Sequence, residues 1–211
     1  MTHGFDKDYW QQHWHQAHGD RPGSMAGNPP NPYLARETGG LAPGTALDAG
    51  CGAGAEAIWL ASHGWQVTAA DIAPEALARA AARATTTGLP EPVRWVEADL
   101  TVWDPGMRFD LVTTHYAHPA MPQLAFYERI SAWVAPGGTL LIVGHLHTSG
   151  ATGHEHHHPA EASVTLADIT AGLDNAEWEI VTVEEHSRTV TGPAGHAIPL
   201  HDVVVRATRR P

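Results

Sequence analysis

Two hydrophobic periods take turns along most of the chain. From residue 45 onward, short apolar runs bounded by glycine or proline alternate with longer amphipathic ones. "TALDAG" (45–50), "QVTAADI" (66–72), "VRWVEADL" (93–100), "FDLVTTHY" (109–116) and "TLLIVGH" (139–145) read as strands. Between them, "AEAIWLASHG" (55–64), "PEALARAAARATTTG" (74–88) and "PQLAFYERISAWVAPGG" (122–138) read as helices. Gly64 closes the first, Pro74 and Gly88 bracket the second, and the third stops before Pro136. This alternation predicts a parallel sheet with helices on both faces.

Both ends of the chain break the pattern. Residues 5–18, "FDKDYWQQHWHQAH", place Tyr9, Trp10, His13 and Trp14 on one face of a short helix. A loop of glycine, proline and asparagine follows over 19–32, and then a short helix ending at Gly39-Gly40. Near the other end, "SVTLADITAGLD" (163–174) reads as a helix capped by Thr165 or Ser163. Two strand-like runs, 177–190 and 201–210, are joined by a Gly/Pro-containing connection and read as an antiparallel pair closing the sheet. The expected fold is α/β, a Rossmann-like doubly wound, mostly parallel sheet of seven strands. The expected organisation is one domain over 1–211: a helical lid segment (1–40), a ligand-binding core (41–147), then a His-rich loop, helix and closing strand pair (148–211).

Composition narrows the partners. Lys+Arg is 12 against Asp+Glu 23, a net charge of −11. Such a surface repels phosphate backbones, which argues against nucleic acid, and it disfavours anionic ligands unless a local site overrides it. Cys51 is the single cysteine, so no intramolecular disulfide forms, as suits a reducing compartment. The N-terminus has no apolar signal region, and no apolar run nears the ~20 residues of a membrane helix. The expectation is a soluble cytoplasmic protein with no membrane partner; nothing in the pattern sets an oligomeric state.

The strongest chemical signal is "LDAGCGAG" (47–54). A strand delivers Asp48, and Gly50, Gly52 and Gly54 turn the chain into a helix where backbone can approach a ligand closely. Asp71 follows at the end of the next strand, where a carboxylate can accept both hydroxyls of a ribose. The glycine spacing also satisfies a nicotinamide-dinucleotide fingerprint. Asp48 counts against that reading, because a carboxylate inside the turn repels a pyrophosphate and suits a cationic head such as an amino-acid ammonium.

The run "TALDAGCGAGAEAIWLASHGWQVTAADIAPEAL", with "EADL", "FDLV" and "APGGTLLI" in order after it, resembles the class I S-adenosylmethionine (SAM) methyltransferases. The resemblance covers roughly residues 40–145 and the closing strand pair. Within the family it is closest to the small-molecule branch that includes tellurite-resistance and thiopurine methyltransferases. It implies SAM as cofactor and S-adenosylhomocysteine (SAH) as product. It implies that the Gly50–Gly54 turn, with Cys51, wraps the methionine part beside Asp48. Asp71 would bind the ribose, Ile72 and Leu100 would flank the adenine, and Asp99 would accept from its amino group. Thr114 and His115 would face the sulfonium and the acceptor, with His115 the favoured general base.

Methyl transfer needs alignment and water exclusion, and a base where the acceptor must lose a proton. Tyr116, His118, His145 and His147 lie at the ends of the strands where such an acceptor would sit. Tyr9, Trp10, His13, Trp14 and Tyr33 could close over it as a lid or simply pin the N-terminal segment to the core. A small neutral or aromatic acceptor is expected, methylated on O, N or S.

One motif competes. "GHEHHHP" (153–159) contains His154-Glu155-His156-His157-His158, a match to H-E-x-x-H. That motif needs a helix to aim both histidines at one metal. Gly153 precedes the run and Pro159 pushes His158 out of helical geometry, so the zinc-protease reading fails. No metal site is therefore assigned. A metal-binding or sensing protein built on loop 145–158, and an NAD(P)-dependent oxidoreductase, stand as the alternatives.

Overall fold

The computed structural model describes residues 4–16, 27–89, 91–146, 163–191 and 197–211. The elements run α1 (Lys7–Gln16), α2 (Pro32–Thr38), β1 (Thr45–Ala49), α3 (Ala55–Ser62), β2 (Gln66–Asp71), α4 (Pro74–Thr85) and β3 (Arg94–Glu97). They continue with β4 (Phe109–His115), α5 (Gln123–Ser131), β5 (Val134–Leu146), β6 (Ser163–Val164), α6 (Leu166–Ala171), β7 (Trp178–Thr191) and β8 (Ala197–Arg209).

Seven strands lie in the order β3-β2-β1-β4-β5-β8-β7. Pairings from β3 to β5 are parallel, whereas β8 runs antiparallel to both β5 and β7. This is the expected Rossmann-like sheet with its antiparallel closing pair. Two local differences stand out. The two-residue β6 adds a parallel partner to β5 through His145 and Leu146, so the helix expected from residue 163 begins later, at Leu166. Thr165 is its cap, accepting from the Asp168 N–H. The helix expected to run up to Pro136 ends at Ser131, and β5 has already begun at Val134, opposite Phe109. Pro136 and Gly137, the latter at φ 77°, fall at an irregularity where the register shifts between Phe109 and Leu111.

Strand alternation divides the core between the two faces. Leu47, Val112, Leu140, Ile142, Val203 and Val205 pack with Phe126 and Ile130 of α5 and Ile169 of α6. Their neighbours Ala46, Leu111, Leu141, Val143 and Val204 pack with Leu34 of α2, Ala57 and Leu60 of α3 and Leu77 of α4. Because β1, β4, β5 and β8 are covered on both sides, they read as near-continuous apolar runs. The N-terminal helix α1 makes a separate small cluster. Its Trp14 is buried against Ala53, Ala73 and Ala76, over the start of α3 and α4. Among the described residues, no helix is long and apolar enough to cross a membrane.

Candidate functional site

In a parallel sheet the ligand site is expected at the carboxyl ends of the strands, near the point where strand order reverses. Here that point lies between β1 and β4, and a cavity of about 630 Å³ opens there. The turn after β1 forms one wall. Gly50, Gly52 and Gly54 adopt φ of 81°, 50° and 74°. At Gly54 a Cβ would also lie 2.6 Å from the Trp95 ring and 2.9 Å from Ala80 Cβ, so neither backbone shape nor space tolerates a side chain. The Gly50 and Cys51 N–H groups donate to the Ala70 carbonyl at 2.9 and 3.1 Å, which ties the turn to β2.

Asp71, the last residue of β2, fastens the same turn. Its Oδ2 accepts from Gly52 N at 2.8 Å and its Oδ1 from Ala73 N at 2.9 Å. Burial raises its pKa, and the backbone donors from Ala73 and Gly52 pull it part of the way back. Asp48 lies deeper, 1% exposed and outside the cavity lining, with Oδ2 lacking a partner among the described residues. Burial raises its pKa well above the ordinary carboxylate value, and Glu56 and Asp71 add to the effect. Glu56 lines the cavity from the first turn of α3 and accepts from the Asn31 N–H at 2.9 Å. Three carboxyl groups thus surround the turn. An orphaned buried carboxyl oxygen and glycine backbone open to a ligand suit a cationic head group, so the residues present fit the ammonium end of SAM.

The cavity brings together many of the sequence-predicted residues. Gly50, Cys51, Gly52, Asp71 and Ile72 line it on the turn side, and Asp99 and Leu100 at the end of β3. His115, Tyr116, His118 and His145 line it at the ends of β4 and β5, and Trp10 and Trp14 from α1. Others lie outside the lining. Gly54 packs under Trp95. Thr114 is buried and donates to the Ala49 carbonyl at 2.9 Å, joining β4 to β1. Tyr9 meets Phe5 and Trp10 edge-on, and its ring stacks on His13. Tyr33 donates to Asp202 Oδ2 at 3.2 Å. His147 and the run 154–158 lie outside the described residues.

His115 lines the cavity from the end of β4. Its Nε2 is buried without a partner among the described residues, and its Nδ1 lies 3.4 Å from Thr113 Oγ1. Burial lowers its pKa, which favours the neutral ring. Tyr116 has the only positive φ, 55°, among the described non-glycine residues. Its hydroxyl donates to Asp202 Oδ1 at 2.7 Å and accepts from Arg188 Nη2 at 3.0 Å and Asn31 Nδ2 at 3.3 Å. Burial and the Asp202 carboxylate push its phenol far up, so it stays protonated and offers the cavity its ring.

The N-terminal helix α1 is tied down at several points. Trp10 Nε1 donates to the His118 carbonyl at 3.0 Å, and Arg79 Nη2 donates to the Trp14 carbonyl at 2.9 Å. The Trp14 ring lies over Gly52, 3.0 Å from where a Cβ would be. Asn28, Pro29, Pro30, Asn31 and Pro32 extend the same wall. Sequence reasoning missed Phe5, Asn31, Glu56, Arg188 and Leu200 as cavity residues. Only Glu56, an acid in the first turn after a glycine loop, carried a readable signal.

Residues 46–138 match the family model for a methyltransferase domain. A probable thiol methyltransferase of Arabidopsis thaliana is 28% identical over 139 residues, 64% of this chain and 60% of the relative's length. A solved structure from work on the conversion of a disulfide bond into a thioacetal group in echinomycin biosynthesis superposes with a TM-score of 0.72 at 24% identity. It covers 97% of this chain and 92% of its own. Magnesium protoporphyrin IX methyltransferase from Synechocystis PCC 6803, solved with bound SAH, gives a TM-score of 0.67 at 18% identity, covering 96% and 97%. The two structures share the fold. The match over residues 46–138 takes in somewhat under half of the chain, which spans only about half to three fifths of the length of the first curated relatives it matches, so the chain is similar to methyltransferases over its central sheet and shares their fold.

Proposed function

We propose that the chain transfers a methyl group from SAM to a small-molecule acceptor enclosed beneath α1. The observation that carries this reading is the cavity at the strand ends, where the glycine turn, Asp71 and Asp99 meet His115 and the Trp10–Trp14 lid. When bound, SAM supplies an electrophilic methyl and its own leaving group, which leaves the protein to align and to exclude water. The backbone of Gly50–Gly52 and the Glu56 carboxyl group would hold the methionine end, with the buried Asp48 carboxyl behind the turn. Asp71 keeps acceptor capacity on both oxygens for a ribose while fastening Gly52. Asp99, whose Oδ1 accepts from the Thr101 N–H at 2.9 Å, stands at the rim for the adenine amino group. Ile72 and Leu100 would flank the ring.

On the acceptor side, His115 would take the proton of a phenol, hydroxyl or ammonium; a thiolate would need no base. Trp10 and Trp14 would cover the sulfonium region, where aromatic faces favour a cation. The enclosing lid favours a small molecule over nucleic acid or protein, in keeping with the net charge of −11. The lone cysteine favours a reducing, cytoplasmic setting. The test is methyl transfer from labelled SAM to a panel of thiol, phenol and amine acceptors. Acceptor-dependent SAH formation is expected; SAH release that no acceptor stimulates would remove the assignment.

A further inference from the structure

The cavity is electrically lopsided along the sheet. The order β3-β2-β1-β4-β5-β8-β7 sets out its lining residues as Asp99, Asp71, the glycine turn, His115, His145, Leu200 and Arg188. The acids, with Glu56, belong to the β3-to-β1 side. On the far side of His115 stands Arg188, the sole lysine or arginine among the described lining residues. Arg188 stands on β7, four strand spacings of about 4.8 Å, or roughly 19 Å, from β1 in the sheet.

Arg188 is held by a buried network. Its Nε donates to Asp202 Oδ2 at 2.6 Å and its Nη2 to the Tyr116 hydroxyl at 3.0 Å. Asp202 is 0% exposed, and its oxygens are taken by Arg188, Tyr33 and Tyr116. A ligand in the cavity therefore meets the guanidinium and not the carboxylate behind it. A guanidinium carries five N–H donors in a planar fork. Two are used here, so about three remain at a cavity wall where the side chain is 28% exposed. If Arg188 merely joined β7 to β8, nothing would require it to line the cavity. A fixed planar fork is suited to a carboxylate, which it binds through paired hydrogen bonds.

We infer that Arg188 is a specificity residue that seats a carboxylate of the acceptor, holding the rest of that molecule between itself and His115. Asp202, Tyr116 and Tyr33 position the fork. The negative overall field argues against anionic ligands in general, and Arg188 supplies the local exception. This rests on the proposed function for where the acceptor lies.

The test uses the full chain, with and without saturating SAH, and two matched probe pairs. These are 4-hydroxybenzoate against 4-hydroxybenzamide, and 3-mercaptobenzoate against 3-mercaptobenzamide, titrated by calorimetry. In the wild type each carboxylate should bind at least ~10-fold tighter than its amide, one bidentate charge-assisted contact's worth. The double variant R188Q/D202N removes the pair together, so no buried charge is stranded. It should bind SAH as the wild type does and lose the preference to within about twofold. R188K keeps the charge without the fork and should fall between. Equal binding within each pair, no carboxylate binding at all, or a preference that survives in R188Q/D202N would overturn the inference. Failure of SAH to bind the wild type would instead remove the cofactor assignment.

Discussion

Replacing Asp71 by asparagine separates two roles that share one carboxyl group. In the wild type each oxygen accepts a backbone N–H, from Gly52 and from Ala73. Asparagine offers one carbonyl oxygen and one NH2. Whichever way it lies, a donor faces a donor and one bond is lost. An unsatisfied buried donor costs about 1–3 kcal/mol. Against this, burial raises the Asp71 pKa, so the folded state pays for its charge at neutral pH and a neutral amide relieves that. The net loss should fall near the low end, ~1 kcal/mol, or a fall in Tm of about 2–4 °C for a chain of this size. The cofactor loses more. A ribose hydroxyl bonded to a charged acceptor contributes about 1.5–3 kcal/mol, so SAH should bind roughly 10- to 100-fold more weakly. Calorimetry with SAH, and with adenosine and methionine separately, locates the loss: adenosine should weaken with SAH and methionine should change little. A lowered Tm with SAH affinity within twofold of wild type would mean that Asp71 only fastens the turn.

Three further outcomes follow from the same geometry. Deleting residues 1–18 removes Trp10 and Trp14 from the cavity wall but no strand; the core should still unfold cooperatively while transfer is lost, and full turnover would refute a lid. His115 has a lowered pKa, so the free base should persist below its ordinary 6.5 and activity toward a phenol acceptor should fall only at more acid pH. The linked stability is present above pH 6.5 and declines below it, as the unfolded chain takes up a proton that the folded His115 resists; H115N should flatten both profiles, measured by rate and by thermal melts. Mutating His154, His156, His157 and His158 together to alanine should leave SAH binding unchanged in calorimetry. A weakened site would draw that loop into the cofactor pocket.

The parts of the fold and site that sequence disclosed are those written in local order. The turn after β1 is legible because a carboxylate, three glycines and a second carboxylate fall within one strand–helix–strand unit. The faces of β1, β4, β5 and β8 follow from apolar runs alone. The Arg188–Asp202–Tyr116–Tyr33 network is different. Its members come from β7, β8, the end of β4 and α2, and only the antiparallel register that sets Asp202 opposite His186 brings Arg188 within reach. In sequence Arg188 is one polar position in an alternating strand. The cost of burying Asp48 and the positive φ of Tyr116 likewise arise from packing, which no spacing records. The start of β5 at Val134 was hidden because "SAWVAPGG" continues a helical pattern until its pairing with Phe109 intervenes.

The most direct measurement is a calorimetric titration of the metal-free protein with SAH, with NADH as the control ligand. The glycine turn, the three carboxyl groups around it and the rim at Asp99 lead to micromolar binding of SAH and none of NADH. Binding of NADH, or of neither ligand, would contradict the assignment of this cavity to SAM.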